Sequence, residues 1–215
     1  GDIVNSMLWA SQSTSVHAIL VDASRTEPSR LQLNVATDRF TLLSREDGVP
    51  ASWARAQALQ WAHEQGFVYK QAVLLSDRCM ITEQLLGNCM LPHTARSEVA
   101  ALGVRARYHF DPEWRALADF LQGLGVPLLG WNNPPPSLVD DAIFVAPQFA
   151  KAMYSRSLLC PDGPPSRLPY ATYLSWIAHI YNFYIISCGF EDKVMPPLYI
   201  NTDHGDYLLP PHVQG

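Results

Sequence analysis

Residues 104–125 read VRARYHFDPEWRALADFLQGLG, and this stretch joins a strand pattern directly to a helix pattern. In its first seven residues apolar side chains alternate with basic ones, which is the period of two of a half-buried strand. Asp111 then suits a helix N-cap, Pro112 suits the first helical position, and apolar residues follow at the helical period until Gly125. A strand that leads straight into an amphipathic helix predicts an α/β chain.

Similar segments recur on both sides of this stretch. Apolar or alternating runs predict strands at 16–21, 31–35, 40–43, 68–75 and 142–146, and helical patterns occur at 52–65, 94–102 and 149–159. Helices that alternate with strands are typical of layered domains, in which helices cover a sheet. We therefore predict an α/β or α+β fold with a mixed sheet, helices packed on it and an antiparallel strand pair at its N-terminal end.

Residues 168–190 contain no Asp, Glu, Lys or Arg and are crowded with aromatic and branched side chains. This composition predicts a long, uncharged, aromatic-rich C-terminal helix in the centre of the fold, with two alternatives, a helix that docks a partner and, less favoured, a membrane span. The length of 215 residues predicts a single domain, 1–215. The proline-rich connector 160–169 is the best candidate for an internal boundary.

The charge and the cysteine content limit the classes of function. The chain carries 15 Lys and Arg against 20 Asp and Glu, a net charge of −5. A nucleic-acid partner is not expected, because phosphate backbones require excess positive charge. The four cysteines form no CxxC pair, so we expect reduced thiols, no cofactor and a cytoplasmic protein. The N-terminal residues show no signal-peptide pattern.

One function hypothesis is a small hydrolase, although the sequence alone does not decide whether the chain is an enzyme. A thiol nucleophile needs a histidine base and an orienting carboxylate, and Cys89 with His204, Asp203 and Asp206 supplies these residue types. An alternative hydrolase site is a metal centre. Its candidate ligands are Asp203 and His204 with Asp22 and Asp77, the two acids that end predicted strands.

A further candidate site binds anions. Arg105, Arg107 and His109 share one face of the predicted strand at 104–110. Arginine forks pair bidentately with phosphate and carboxylate groups, so this stripe can hold either anion. The alternative interpretation is a solvated sheet face.

The favoured hypothesis is a protein-binding domain that acts by occupying its partner, as an inhibitor, an immunity-type protein or an accessory protein. Aromatic residues anchor protein interfaces, and this chain has six Trp and nine Tyr. The acidic charge favours a basic partner. The candidate partner-binding residues are Trp131, Asn132, Asn133, Trp176 and Tyr181. The sequence does not define the oligomeric state.

Overall fold

The computed structural model describes residues 2–13, 15–22, 38–76, 94–107, 111–128, 136–138, 142–190, 200–201 and 206–207. In these residues the mixed α/β content agrees with the predicted fold class. The helices are α1 (Asp2–Ser11), α2 (Ala54–Glu64, after a 3-10 turn at Ala51–Trp53), α3 (Asp111–Gly123), α4 (Pro147–Tyr154) and α5 (Tyr170–Ile180). The strands are β1 (Ala18–Asp22), β2 (Phe40–Ser44), β3 (Ala72–Leu75), β4 (Val99–Arg107), β5 (Ser137–Leu138), β6 (Ala142–Val145), β7 (Tyr184–Phe190), β8 (Ile200–Asn201) and β9 (Asp206–Tyr207).

The largest sheet of the described residues is built around β4. β7 pairs with β4 in parallel, while β6 and the short β5 pair with it in antiparallel fashion at different points along its length. β3 completes this sheet by pairing antiparallel with β6. The sheet is therefore mixed, as the sequence predicts. A separate antiparallel pair is formed by β8 and β9.

One hydrophobic cluster connects this sheet to α2, α3, α4 and α5. Its largest fully buried side chains include Trp53, Phe149, Tyr170, Tyr173 and Trp176. The connector between α4 and α5 runs through this cluster, because Leu158, Leu159 and Leu168 are buried in it. The proline-rich segment at 160–169 thus crosses one continuous core.

Buried side chains also hold the backbone of this connector. The Tyr170 hydroxyl donates to the Leu159 carbonyl at 2.9 Å, and the Tyr173 hydroxyl donates to the Leu158 carbonyl at 2.7 Å. The Trp53 indole donates to the carbonyl of Leu168 at 2.7 Å. Buried carbonyl groups need such partners, and these aromatic residues supply them while their rings fill the core.

The prediction of a long C-terminal helix is wrong. α5 ends at Ile180, and residue Asn182 takes the left-handed conformation with φ +60°. The Phe183 amide then donates to the Ala178 carbonyl at 2.8 Å, which is the hydrogen bond of a Schellman helix stop. The β-branched and aromatic residues that follow form β7 instead. In the described part of the chain, no helix is long and apolar enough to cross a membrane.

Two further predictions need correction. Residues 99–102, predicted to be helical, belong to β4, since a strand buried on both faces has the same continuous apolar pattern as a buried helix. The N-terminal pair, β1 with β2, is parallel rather than antiparallel, with Leu20 opposite Leu42. The predicted strand at 31–35 lies outside the described residues.

Candidate functional site

The first three elements, α1, β1 and β2, are here called the N-terminal module. They differ from the rest of the described chain in how little they bury. The only buried apolar side chains among their described residues are the two small ones, Ala10 and Ala18. No residue of the module belongs to the hydrophobic cluster of the main sheet. The module is thus a layer of secondary structure that lacks a well-buried core of its own.

Large apolar side chains lie at the surface of this module. Trp9 on α1 is 44% exposed and Leu42 on β2 is 39% exposed, while Leu20, opposite Leu42, is half-buried. On the other face of the strand pair, Val21 and Leu43 are also only half-buried. Parallel strands normally occur where both faces are covered, so this pair is unusually open. We refer to Trp9 on α1 and Leu42 on β2 as the exposed apolar residues of the module.

The module is attached to the rest of the molecule through α2. The side-chain amide of Gln57 donates to the Ser44 carbonyl at 2.9 Å and accepts from the Glu46 amide at 3.0 Å. Gln57 is buried, so both halves of its amide are satisfied by backbone at the end of β2. Close by the start of β1, His17 shares a hydrogen bond of 2.9 Å with the Thr41 hydroxyl and packs edge-on against Phe67.

Exposed carboxylates flank β2 at both ends. Asp38 precedes the strand, and Glu46 and Asp47 follow it, all three with exposed side chains. The neighbouring arginines, Arg39 and Arg45, are half-buried, and the Arg45 guanidinium donates to the carbonyl of Val49. The outward surface at the ends of β2 is therefore mainly acidic.

A second surface feature lies at the end of α2. His63 shares a 2.6 Å hydrogen bond with the hydroxyl of Tyr69, and its ring stacks on that of Tyr154 at 5.4 Å between centroids. Burial lowers the pKa of His63 and raises that of Tyr69. A neutral imidazole that is held by a phenol resembles an acid–base pair, but an enzyme also needs a third group or a nucleophile. Among the described residues, His63 and Tyr69 belong to no group of three or more His, Cys, Asp or Glu side chains that could supply such a third group.

Cys160 is the one cysteine whose side chain is described, and it does not have the properties of a nucleophile. Burial, together with the carboxylates of Glu46, Asp162 and Glu64, raises the pKa of its thiol to about 11. A thiol with a raised pKa stays protonated at neutral pH and reacts slowly. This thiol therefore has a structural role beside the core.

Most of the site residues predicted from the sequence lie outside the described part of the chain. These are Asp77, Cys89, His109, Trp131, Asn132, Asn133, Asp203 and His204. Three others lie in strands, Arg105 and Arg107 in β4 and Asp206 in β9, but their side chains are not described. The hydrolase and anion-site hypotheses therefore stay predictions.

Three predicted residues can be placed. Asp22 ends β1 and is half-buried opposite Ser44. The described residues contain no group of three or more metal-ligating side chains, so Asp22 is not part of such a group there. Trp176 is fully buried in the core and contributes nothing to the surface. Tyr181 is half-buried at the end of α5, with the Arg156 guanidinium 5.0 Å above its ring.

Sequence reasoning did not select the residues that the structure makes prominent, namely Trp9, Leu42 and Gln57. The signal for Leu42 was present, because β2 carries apolar residues on both faces and yet is short and flanked by charges. Its exposure could not be read from the sequence, since it depends on how the other elements pack around it.

Comparisons of the chain with protein-family models, with curated proteins and with solved structures gave no match.

Proposed function

We propose that the chain is a protein-binding domain, and that it binds its partner through the exposed apolar residues of the N-terminal module, Trp9 and Leu42. The observation that carries the proposal is the contrast in burial. Most of the described large apolar side chains of the main sheet are buried, whereas none of those described in the module is. Exposed aromatic and aliphatic side chains beside charged residues are the composition found at interaction sites.

Both exposed apolar residues of the module have the chemistry of interface anchors. Trp9 offers a large ring with few rotatable bonds, and tryptophan is enriched among residues that dominate binding energy. Leu42 stands on a strand, which holds it in a fixed position. The acidic border favours fast association with a basic partner. Occupation of such a partner is how an inhibitor, an immunity-type protein or an accessory protein acts.

Affinity capture with matched variants tests this proposal. Wild-type protein and the variants Trp9→Ser, Leu42→Lys and Val68→Lys are immobilised, incubated with extract of the source organism, and the bound proteins are quantified by mass spectrometry. Val68 is the control because it is fully exposed and lies outside the module. We expect a partner whose recovery falls about tenfold or more with Trp9→Ser and Leu42→Lys, as for interface anchors. Equal recovery by all four proteins would contradict the proposal.

The alternative function, a hydrolase that uses Cys89 with His204, stays a prediction of the sequence. Its test is the rate of alkylation by iodoacetamide at pH 5.5 and at pH 7, mapped by mass spectrometry. Cys160 provides an internal control, since its raised pKa keeps that thiol slow. An activated Cys89 thiolate should be alkylated at nearly the same rate at pH 5.5 as at pH 7, whereas a thiol with an ordinary pKa of about 8.5 slows more than tenfold. If the Cys89 rate falls more than tenfold over this range, the thiol hydrolase is excluded.

A further inference from the structure

The backbone of β2 offers one edge to β1 and the other to its surroundings. The Arg39 carbonyl accepts from the Ala18 amide at 2.8 Å, and the Arg45 amide donates to the Asp22 carbonyl at 3.1 Å. The odd-numbered residues of β2 thus direct their backbone groups toward β1. Because strands have a period of two, Phe40, Leu42 and Ser44 direct theirs toward the opposite edge. In the described part of the chain, β2 pairs with no strand other than β1.

At one end of this outer edge, a side-chain amide already occupies the place of a neighbouring strand. The Gln57 side chain bonds to the Ser44 carbonyl and the Glu46 amide, as a peptide group of a neighbouring strand would. The geometry of the edge is therefore suited to strand addition. The backbone groups of Phe40 and Leu42 come next along the same edge. Between them they offer two donors and two acceptors, enough for a short strand.

We propose that this edge of β2 binds a β-strand of the partner protein, and that this strand carries Lys or Arg at both ends. The inference rests on the proposed function and specifies the partner of the same surface. Strand addition takes its affinity from main-chain hydrogen bonds and its specificity from alternate side chains. Here the alternate side chain is Leu42, which contacts an apolar residue of the partner.

Charge complementarity identifies the partner as basic. A partner strand that lies beside β2 meets Asp38 of this chain near one of its ends and Glu46 and Asp47 near the other. All three side chains are exposed. Within the described part of the chain these carboxylates form no ion pair, and the ion pair found there joins Arg96 to Glu98. A second copy of this chain is disfavoured as the occupant, because antiparallel pairing of two β2 edges brings like charges together.

A peptide probe tests the proposal with the full chain. The probe is a fluorescein-labelled peptide in which valine and threonine alternate, with two lysines at each end, and binding is followed by fluorescence anisotropy at low salt. We expect saturable binding to the wild-type protein. A peptide with glutamates in place of the lysines should bind at least tenfold more weakly. A lysine peptide N-methylated at alternate residues should also bind at least tenfold more weakly, because it cannot complete the ladder.

Protein variants locate the site of binding. Leu42→Lys should raise the Kd of the lysine peptide at least tenfold, whereas Val68→Lys, with the same change of charge on an exposed apolar residue, should leave the Kd unchanged. The triple variant Asp38→Asn, Glu46→Gln and Asp47→Asn should raise the Kd by up to about fivefold for each charge removed. Neutralising the exposed Glu64, Asp119 and Asp162 instead is the matched control and should raise it less.

Three outcomes would overturn the inference: equal binding of the lysine and glutamate peptides, no binding of either, or binding that survives Leu42→Lys. Sedimentation velocity adds a fourth, because a dimer that Leu42→Lys dissociates would make a second copy the occupant. These failures differ from a failure of the proposed function. If capture from extract depends on Trp9 and Leu42 while no peptide binds, the protein-binding function stands and strand addition is rejected.

Discussion

At the scale of single residues, four helix ends show how local conformation sets the fold. Two or three residues after the ends of α2, α3, α4 and α5, the chain takes a positive φ, at Gly66, Gly125, Ser157 and Asn182. In each case the following amide donates to a carbonyl five residues earlier, which completes a Schellman motif. Glycine adopts this conformation without strain and asparagine tolerates it, whereas serine adopts it at a cost.

Replacing Ser157 by glycine should therefore stabilise the protein. With φ +56° at Ser157, we expect the free energy of unfolding to rise by about 0.5–1 kcal/mol, a gain of about 1–4 °C in melting temperature. The control is Ser155→Gly, at φ −63°, where added backbone freedom should lower stability by up to about 1 kcal/mol. Differential scanning calorimetry measures both. A Ser157→Gly protein that melts below wild type would contradict the argument.

Two half-buried histidines, His63 and His17, make stability depend on pH. Burial lowers the pKa of His63 and, to first order, that of His17. The unfolded chain, with histidine pKa values of about 6.5, then binds protons before the folded protein does. Stability from these groups is complete above pH 6.5 and is lost as the pH falls through 6.5 toward the lower folded values. His63→Phe should keep the stacking on Tyr154 and reduce this loss.

Urea unfolding at pH 7.5 and at pH 5.5 measures the effect for wild type and His63→Phe. We expect a smaller difference between the two midpoints in the variant, whatever its stability at pH 7.5. An unchanged difference would show that His63 does not titrate across this range.

At the scale of elements, the connector between α4 and α5 is held by buried aromatic residues. Tyr170 and Tyr173 begin α5, pack with Trp53 through ring contacts of 5.1 and 4.6 Å, and bond to carbonyls of the connector. Together with the bond from the Trp53 indole to the Leu168 carbonyl, these bonds supply partners to buried carbonyls at both ends of the proline-rich segment.

Removing the hydroxyl of Tyr173 should lower the free energy of unfolding. Tyr173→Phe leaves the Leu158 carbonyl without its bond in a buried site, and we expect a loss of about 1–3 kcal/mol in the free energy of unfolding. Tyr154→Phe is the control, because that side chain is exposed and its change should stay within about 0.5 kcal/mol. Equal effects of the two substitutions in urea unfolding would contradict the role of the Tyr173 bond.

The elements also show where the sequence was informative. Local signals predicted the start of α3 at Asp111, the glycines after α2 and α3 (Gly66 and Gly125) and the strand at 142–145. They did not predict the strand at 99–102 or the end of α5. A strand that is paired on both edges within a core and a buried helix have the same apolar composition, and only the pairing of β4 with β6 and β7 distinguishes them.

At the scale of the whole molecule, the described chain divides by burial into a packed mixed sheet and a sparsely buried N-terminal module. The candidate binding surface was not predictable from the sequence, because exposure is a property of the assembled fold. Leu42 lies in a predicted strand. Only the structure shows that this strand pairs in parallel with β1 and leaves the Leu42 side chain 39% exposed. The aromatic character of Trp176 predicts a partner-binding residue, but the assembled fold buries its side chain in the core.

Hydrogen exchange measured by mass spectrometry tests the central claim most directly. In the free protein, amides of β1 and β2 should exchange far faster than those of β4 and β6, because opening the module exposes few buried apolar contacts. On addition of the captured partner, protection should increase in β2 and in α1 around Trp9 while the main sheet is unchanged. A module that exchanges as slowly as the main sheet when free, or that gains no protection when the partner binds, would contradict the account.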